Sequence, residues 1–281
     1  MVDKKVQKLV EDAKACNATE LYLAQRSITE LVQIPTLTSL HNLTRLSLAH
    51  NKLKALPPSI CNLQCLEYLT VYNNHLEELP QNLNKLYNLV SLNLGMNRLV
   101  TLPRNFEFNK LAILDVSYNN LSDNYLPESL YQNKCLRALY MSDNDLEVLP
   151  ESIGNLSESL EVLTLRSNDI YQLPKAVGTL LKLKELNLVN NRLIVLPPEL
   201  GKLRQFRETA REGQDCSLEL DQNKYLVAPL LQQLNHGTSS LLDYLVDKNY
   251  MQLYQQHMQF DIRPPEKADK SKKVSRKPIK K

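Results

Sequence analysis

The sequence contains residues able to perform chemistry, but their spacing forms no recognisable catalytic motif. Cys61 and Cys65 lie four positions apart without a second cysteine pair or a nearby histidine, which argues against zinc and favours buried structural thiols. The five histidines are scattered, and the chain has no phosphate-binding glycine loop, no HExxH and no GxSxG. We therefore predict no enzyme activity, no catalytic residue, no metal site and no cofactor.

Four aspartates recur at related positions along the chain, namely Asp115, Asp143, Asp145 and Asp169. Paired carboxylates act as general acid and base only where an enclosing pocket shifts their pKa values. Whether these aspartates could act as general acid and base therefore depends on the secondary-structure elements that position them.

Those elements are sequence repeats. The stretch 89–103, LVSLNLGMNRLVTLP, carries leucines at its first, fourth and sixth places and an asparagine at the ninth. The same template recurs along the chain, and its asparagines are 22 to 25 residues apart at Asn51, Asn74, Asn97, Asn119, Asn144, Asn168 and Asn191. This spacing is the leucine-rich-repeat pattern.

Each repeat predicts one coil of an α/β leucine-rich-repeat solenoid. The alternating leucines indicate a short strand with an inward apolar side, and stacked strands form a parallel concave sheet at roughly 4.8 Å spacing. The asparagine supplies a donor and an acceptor to backbone groups of the sharp turn that follows. The Leu-Pro pair further on disfavours long helices on the return side. Since this sheet is open, we expect no enclosing pocket for the carboxylates.

The two ends of the array differ from the repeats at 18–203. Residues 1–17 predict an amphipathic N-terminal cap helix, although a membrane-surface helix has the same pattern. Residues 204–262 predict a terminal repeat followed by a C-terminal cap of two amphipathic helices. Together these ends would cover the otherwise open coils of the solenoid.

The tail, 263–281, is strongly basic. Nine lysines and arginines against Glu266 and Asp269 give it a net charge of +7, whereas the whole chain has +3. Low hydrophobicity with high charge predicts disorder. Its run KSKKVSRK is compatible with solvation, a nuclear-import address, or contact with anionic lipid or nucleic acid.

The composition favours a cytoplasmic protein. Five cysteines are an odd number, and no secretory signal peptide precedes them, so we expect reduced thiols. No apolar run reaches the roughly 20 residues that a membrane span needs.

The concave face is predicted from the outward strand positions and the turn residues that follow them. Large apolar side chains are seldom exposed together without a partner, and tyrosine, methionine and arginine are enriched at interface centres. Gly95 among them would let a partner approach the backbone. The ordinary preference of tyrosine for exposed strands is the alternative explanation. The predicted partner-binding residues are Tyr68, Thr70, Tyr72, Asn93, Met96, Ile113, Asp115, Tyr118, Tyr140, Asp143 and Arg166.

The repeat LxxLxLxxNxLxxLPxxI, together with the runs LNLGMNRL, SDND, RLIVLPPELG and DKSKKVSRKP, resembles the intracellular Ras-linked leucine-rich-repeat proteins. The resemblance covers nearly the whole chain, including the C-terminal cap and the tail. It implies an adaptor at cell-matrix adhesions (focal adhesions) whose concave surface holds the last LIM domain of PINCH, which joins integrin-linked kinase and parvin. It also implies opposition to Ras-driven signalling and a monomer within a hetero-complex. Nucleic-acid binding is not expected, because the tail has no aromatic residue that could stack on bases.

Another class of function remains open from the residues alone. Leucine-rich repeats of this kind also suit a regulatory subunit of a protein phosphatase or of a small-GTPase effector complex. Co-purification distinguishes these interpretations, since LIM proteins would appear in one case and a phosphatase catalytic subunit or GTP-loaded Ras in the other.

Overall fold

The structure is a computed structural model and describes residues 3–123, 126–206, 216–259, 265–267 and 269–270. The chain divides into two compact units, unit 1 within 1–136 and unit 2 within 137–270. The predicted disorder and the basic run of the tail fall mostly on residues outside the described ones, so both stay predictions.

Unit 1 contains five short parallel strands, one per repeat. Each strand has three residues, of which the central leucine is buried and the two flanking residues face outward. The pairing keeps identical repeat positions side by side, for example Leu46 with Leu69 and Leu69 with Leu92. The strands are β1 (Glu20–Tyr22), β2 (Arg45–Ser47), β3 (Tyr68–Thr70), β4 (Ser91–Asn93) and β5 (Ile113–Asp115).

Unit 2 repeats this arrangement with four strands. Leu139 pairs with Leu163, and Leu163 pairs with Leu186, so the buried leucines again form a column. The strands are β6 (Ala138–Tyr140), β7 (Val162–Thr164), β8 (Glu185–Asn187) and β9 (Ser217–Glu219). The predicted leucine-rich-repeat solenoid is confirmed.

The asparagine column holds each turn after a strand. Asn97 is 1% exposed, and its amide nitrogen donates to the carbonyls of Val71 at 3.0 Å and Leu94 at 2.9 Å. Its amide oxygen accepts from the Leu76 N–H at 3.0 Å. Because one side chain satisfies backbone groups of two coils, the asparagine joins neighbouring repeats, as the sequence predicts.

The return segments opposite the strands are short 3-10 helices, in agreement with the Leu-Pro pairs. Several begin directly after a proline, whose fixed torsion suits the first turn. In unit 1 they span Leu31–Gln33, Pro35–Ser39, Pro58–Asn62, Leu83–Lys85 and Glu128–Gln132. In unit 2 they span Glu151–Leu156, Lys175–Thr179, Pro198–Lys202 and Arg204–Phe206.

The predicted N-terminal cap helix is present as α1 (Lys4–Ala15). Asp3 caps it by accepting a hydrogen bond from the Lys5 N–H at 3.0 Å. Val6 and Val10 on one face are fully buried, so the helix covers the first coil.

The C-terminal cap contains three helices where the sequence pattern predicts two. They are α2 (Ala228–Asn235), α3 (Thr238–Leu245) and α4 (Lys248–Gln259). Gly237 has a φ of 105°, a backbone conformation that ends α2 and that glycine adopts without strain. The Tyr250 hydroxyl donates to the Leu196 carbonyl at 2.6 Å, which fastens α4 to the last coils. Among the helices of the described ranges, none is long and apolar enough to cross a membrane.

Candidate functional site

Five large side chains on the outward face of unit 1 are here called the tyrosine patch: Tyr68, Tyr72, Met96, Ile113 and Tyr118. Ile113 is 42% exposed and Tyr118 52% exposed, and the other three are half-buried. Strand register brings them together, because Ser91 of β4 lies between Tyr68 of β3 and Ile113 of β5. The small serine leaves the flanking apolar groups accessible from the same side.

Contacts within unit 1 hold the rings of the patch in place. The Tyr72 hydroxyl donates to the Met96 sulfur at 2.8 Å, and the His50 ring meets the Tyr72 ring edge-on, with centroids 5.4 Å apart. The Arg45 guanidinium lies 4.0 Å from the Tyr68 ring centroid, which is a cation–π contact. A surface whose rings are already fixed loses little conformational entropy when it binds a partner.

Polar groups converge at Gly95 in the middle of this face. The Asn93 amide oxygen accepts from the Gly95 N–H at 3.0 Å, and the Asp115 carboxylate accepts from the Ser117 N–H at 2.9 Å. A β-carbon on Gly95 would lie 3.2 Å from the Asp115 carboxylate and 3.2 Å from the Tyr72 ring. Gly95 is itself buried, so the expectation that it opens the backbone to a partner is wrong. Its role is to leave room for its neighbours.

Two residues of the tyrosine patch occupy a strained backbone position. The residue before each repeat asparagine is left-handed, with φ near 55°, and Asn73, Asp143 and Asn190 suit that conformation. Met96 has φ 54° and Tyr118 has φ 56°, although neither residue type favours this region. The same conformation recurs before the asparagine of every coil, so it belongs to the repeat turn, and Met96 and Tyr118 adopt it at some cost in backbone energy.

We expect Tyr118→Asn to raise stability and to weaken partner binding. Asparagine tolerates the left-handed conformation, so the free energy of unfolding should rise by about 0.5–1 kcal/mol. Loss of a tyrosine anchor should cost roughly tenfold or more in affinity. Urea unfolding and calorimetric titration measure the two effects. Tyr87→Asn, at a residue 49% exposed, is the control expected to change neither. A Tyr118→Asn variant with unchanged affinity would remove this residue from the site.

The predicted residue Thr70 of β3 is half-buried, and unit 2 presents the other three predicted residues. Arg166 is exposed, and Tyr140 and Asp143 are half-buried; the Asp143 N–H donates to the Arg166 carbonyl at 2.8 Å. Two other outward positions, Ala138 and Thr164, are 8% exposed. Outward orientation therefore does not by itself guarantee exposure.

Two of the reactive residues singled out from the sequence, Cys61 and His75, have shifted pKa values. Burial raises the pKa of the Cys61 thiol, which makes the thiolate scarcer, and Cys61 is 4% exposed. Burial and the nearby Arg98 lower the pKa of His75. Within the described ranges, no group of three potential metal ligands comes together.

Sequence reasoning missed a buried charge cluster in unit 2. Asp169 was expected along an open turn, but it is 3% exposed and pairs with Arg192, which is 5% exposed. The available signal was the column that directly follows the repeat asparagines, where Asp145, Asp169 and Arg192 occupy successive coils.

Comparison with known proteins agrees with this geometry. A family model for a leucine-rich repeat region matches residues 91–220, and a second model, for the Leucine Rich Repeat, matches residues 42–63. A leucine-rich-repeat protein of Leptospira interrogans has a similar structure, with a TM-score of 0.57 and 30% identity over 77% of this chain and 57% of that chain. A Listeria monocytogenes internalin shares the fold with a TM-score of 0.55 and 23% identity, covering 69% of this chain and 60% of that chain. The chain is thus a leucine-rich-repeat protein of the protein-interaction class.

The similarity to one group extends over nearly the full length. Ras suppressor protein 1 from Homo sapiens is 45% identical over 280 residues, which covers 99% of this chain and 98% of the human protein. The Bos taurus protein gives the same identity and coverage. This chain belongs to the Ras suppressor protein family.

Proposed function

We propose that this chain is a non-enzymatic intracellular adaptor that binds a folded protein on the concave strand face. The observation that carries the proposal is the tyrosine patch of unit 1, where apolar anchors surround the polar groups of Asn93 and Asp115. Tyrosine and methionine anchors around a few fixed hydrogen-bonding groups are typical of interface centres. Tyr140, Asp143 and Arg166 extend the set of proposed contact residues into unit 2.

The partner we propose is a LIM domain of PINCH, within a complex that also contains integrin-linked kinase and parvin. Family membership supports the link to Ras signalling, since full-length relatives are named Ras suppressor protein 1, whereas the choice of a LIM partner follows from the resemblance to the Ras-linked leucine-rich-repeat proteins. Under this proposal the chain acts at focal adhesions and affects Ras signalling through the assembly that it joins. The carboxylate of Asp115, which keeps acceptor capacity besides its bond to Ser117, would orient a basic or N–H-bearing group of the partner.

Affinity purification of the tagged full-length chain from adherent cells, followed by mass spectrometry, tests the proposal. We expect enrichment of LIM-domain proteins together with integrin-linked kinase and parvin. Enrichment of a phosphatase catalytic subunit or of GTP-loaded Ras without LIM proteins would contradict the proposal and support a regulatory-subunit role.

A further inference from the structure

The positions that directly follow the repeat asparagines place two aspartates on successive coils of unit 2. The Asp169 N–H donates to the Leu146 carbonyl at 2.8 Å, and the Arg192 N–H donates to the Ile170 carbonyl at 2.8 Å, which fixes this column. Asp145 and Asp169 therefore stack about one strand spacing apart, roughly 5 Å. Like charges at this spacing repel each other unless cations lie against them.

Arg192 provides the first cation. Its Nε donates to the Asp169 carbonyl at 3.1 Å and lies 3.5 Å from Asp169 Oδ1, and its Nη2 lies 3.3 Å from Glu147 Oε2. The Arg192 side chain is 6% exposed, so these contacts are shielded from solvent. The acidic column, defined here as Asp145, Glu147 and Asp169, still carries a net negative charge after this arginine is counted.

The second and third cations come from the C-terminal segment, here called the strap (residues 265–267 and 269–270). Lys270 Nζ lies 2.6 Å from Asp169 Oδ2 and 3.8 Å from Asp145 Oδ1. It also donates to the Asn144 carbonyl at 2.8 Å. Lys267 Nζ lies 2.5 Å from Glu147 Oε1. The Lys270 side chain is only 12% exposed, and the Asp169 side chain 4%.

These contacts select for lysine in an extended peptide. One compact ammonium group lies within hydrogen-bond distance of the Asp169 carboxylate and the Asn144 carbonyl, and it forms a longer ion pair with Asp145 at 3.8 Å. Arg192 donates to the Pro265 carbonyl, so the peptide backbone is bound as well as the side chains. Lys267 and Lys270 are three positions apart in the sequence, and they reach different carboxylates, those of Glu147 and Asp169.

We propose that the acidic column of unit 2 is a recognition site for an extended segment with two lysines three positions apart. The strap occupies this site in cis, and a lysine-bearing segment of another protein binds there when the strap leaves. This inference is independent of the strand-face adaptor role, because it concerns the turns after the asparagines and an extended basic ligand.

Release of the strap is feasible because its described contacts with the acidic column and Arg192 are polar. Of its described residues, Pro265 and Lys270 are half-buried while Glu266, Lys267 and Asp269 are exposed. Segments with little buried apolar area open locally at low cost. A tethered ligand acts at an effective concentration in the millimolar range, so the strap should compete strongly with free peptides.

The test uses the full-length chain and a fluorescent peptide of residues 264–270, PPEKADK, with blocked ends. The peptide has two acidic and two basic residues and is therefore neutral, which limits non-specific attraction. Fluorescence anisotropy should show at least tenfold tighter binding to K267Q/K270Q than to the unsubstituted chain, and the affinity should fall as salt rises. The matched control K224Q/K248Q removes two exposed lysines of the same unit and should bind like the unsubstituted chain.

Two further variants test the role of the charges. A peptide with both lysines replaced by glutamine should lose binding at least tenfold, and Glu147→Gln added to K267Q/K270Q should weaken binding of the lysine peptide to a similar extent. Thermal unfolding checks that each protein variant folds. If the Glu147→Gln variant does not fold, the glutamine peptide still tests the contact between the lysines and the acidic column. The proposal would be overturned if the lysine peptide bound K267Q/K270Q and the unsubstituted chain equally, or if it bound neither. It would also be overturned if the glutamine peptide bound K267Q/K270Q as tightly as the lysine peptide.

Discussion

Replacement of Asn97 by alanine should destabilise unit 1 by about 3–5 kcal/mol. The substitution removes four hydrogen bonds, to the Leu76 N–H and to the carbonyls of Val71, Leu94 and Gly95. These backbone groups are buried, and each group left without a partner costs about 1–3 kcal/mol. The groups belong to two neighbouring coils, so the loss should also weaken the contact between repeats.

Urea unfolding followed by circular dichroism measures this effect, with a fall in the thermal midpoint on the order of 10 °C as a second readout. Asn62→Ala is the control, because Asn62 is exposed in a return segment and its substitution should change stability by less than about 0.5 kcal/mol. If Asn97→Ala unfolded with the same free energy as Asn62→Ala, the asparagine column would not hold the repeats together.

Asp115→Arg should abolish binding of the LIM-domain partner while leaving the fold largely intact. Asp115 is half-buried at the end of β5, where its carboxylate accepts from the Ser117 N–H at 2.9 Å. The loss of that bond costs only about 1 kcal/mol of stability. In contrast, an arginine at the centre of the strand face would oppose the partner in both charge and shape, which should lower affinity by about 100-fold or more.

Calorimetric titration of a purified LIM domain measures the affinity, and thermal unfolding checks the fold. Asp115→Asn retains the acceptor for Ser117 and should give a smaller loss than Asp115→Arg. Glu107→Arg makes the same charge reversal at an exposed return-segment residue of unit 1 and should bind normally. Undiminished binding by Asp115→Arg would move the site away from this part of the strand face.

The repetitive part of the fold was predictable because the spacing of leucines and asparagine within each repeat determines the geometry of one coil. The ninth-place asparagine fixes the turn and the leucines at the first, fourth and sixth places fix the buried side, so Asn97 and Leu92 could be placed from spacing alone. The third helix of the C-terminal cap was not predicted. The spacing of the leucines indicates the apolar face of the cap helices but does not locate every break between them, such as the one at Gly237 between α2 and α3.

The site was only partly predictable for a related reason. Alternation along a strand gives the direction of a side chain but not the size of its neighbours, so Thr164 is buried although it faces outward. The strap was missed because its partners, Asp145 and Asp169, lie more than a hundred positions away in the sequence. A contact between the acidic column and a segment outside the repeats produces no periodic pattern in the sequence, so sequence periodicity cannot predict it.

Hydroxyl-radical footprinting of the tyrosines, with and without a LIM-domain partner, tests the central claim most directly. Tyr68, Tyr72 and Tyr118 should be accessible in the isolated chain and protected in the complex. Tyr87 and Tyr225, which are 49% and 45% exposed away from the strand positions, should remain equally reactive in both states. Protection of Tyr87 or Tyr225 with unchanged reactivity of the three patch tyrosines would contradict the proposal that the strand face is the binding surface.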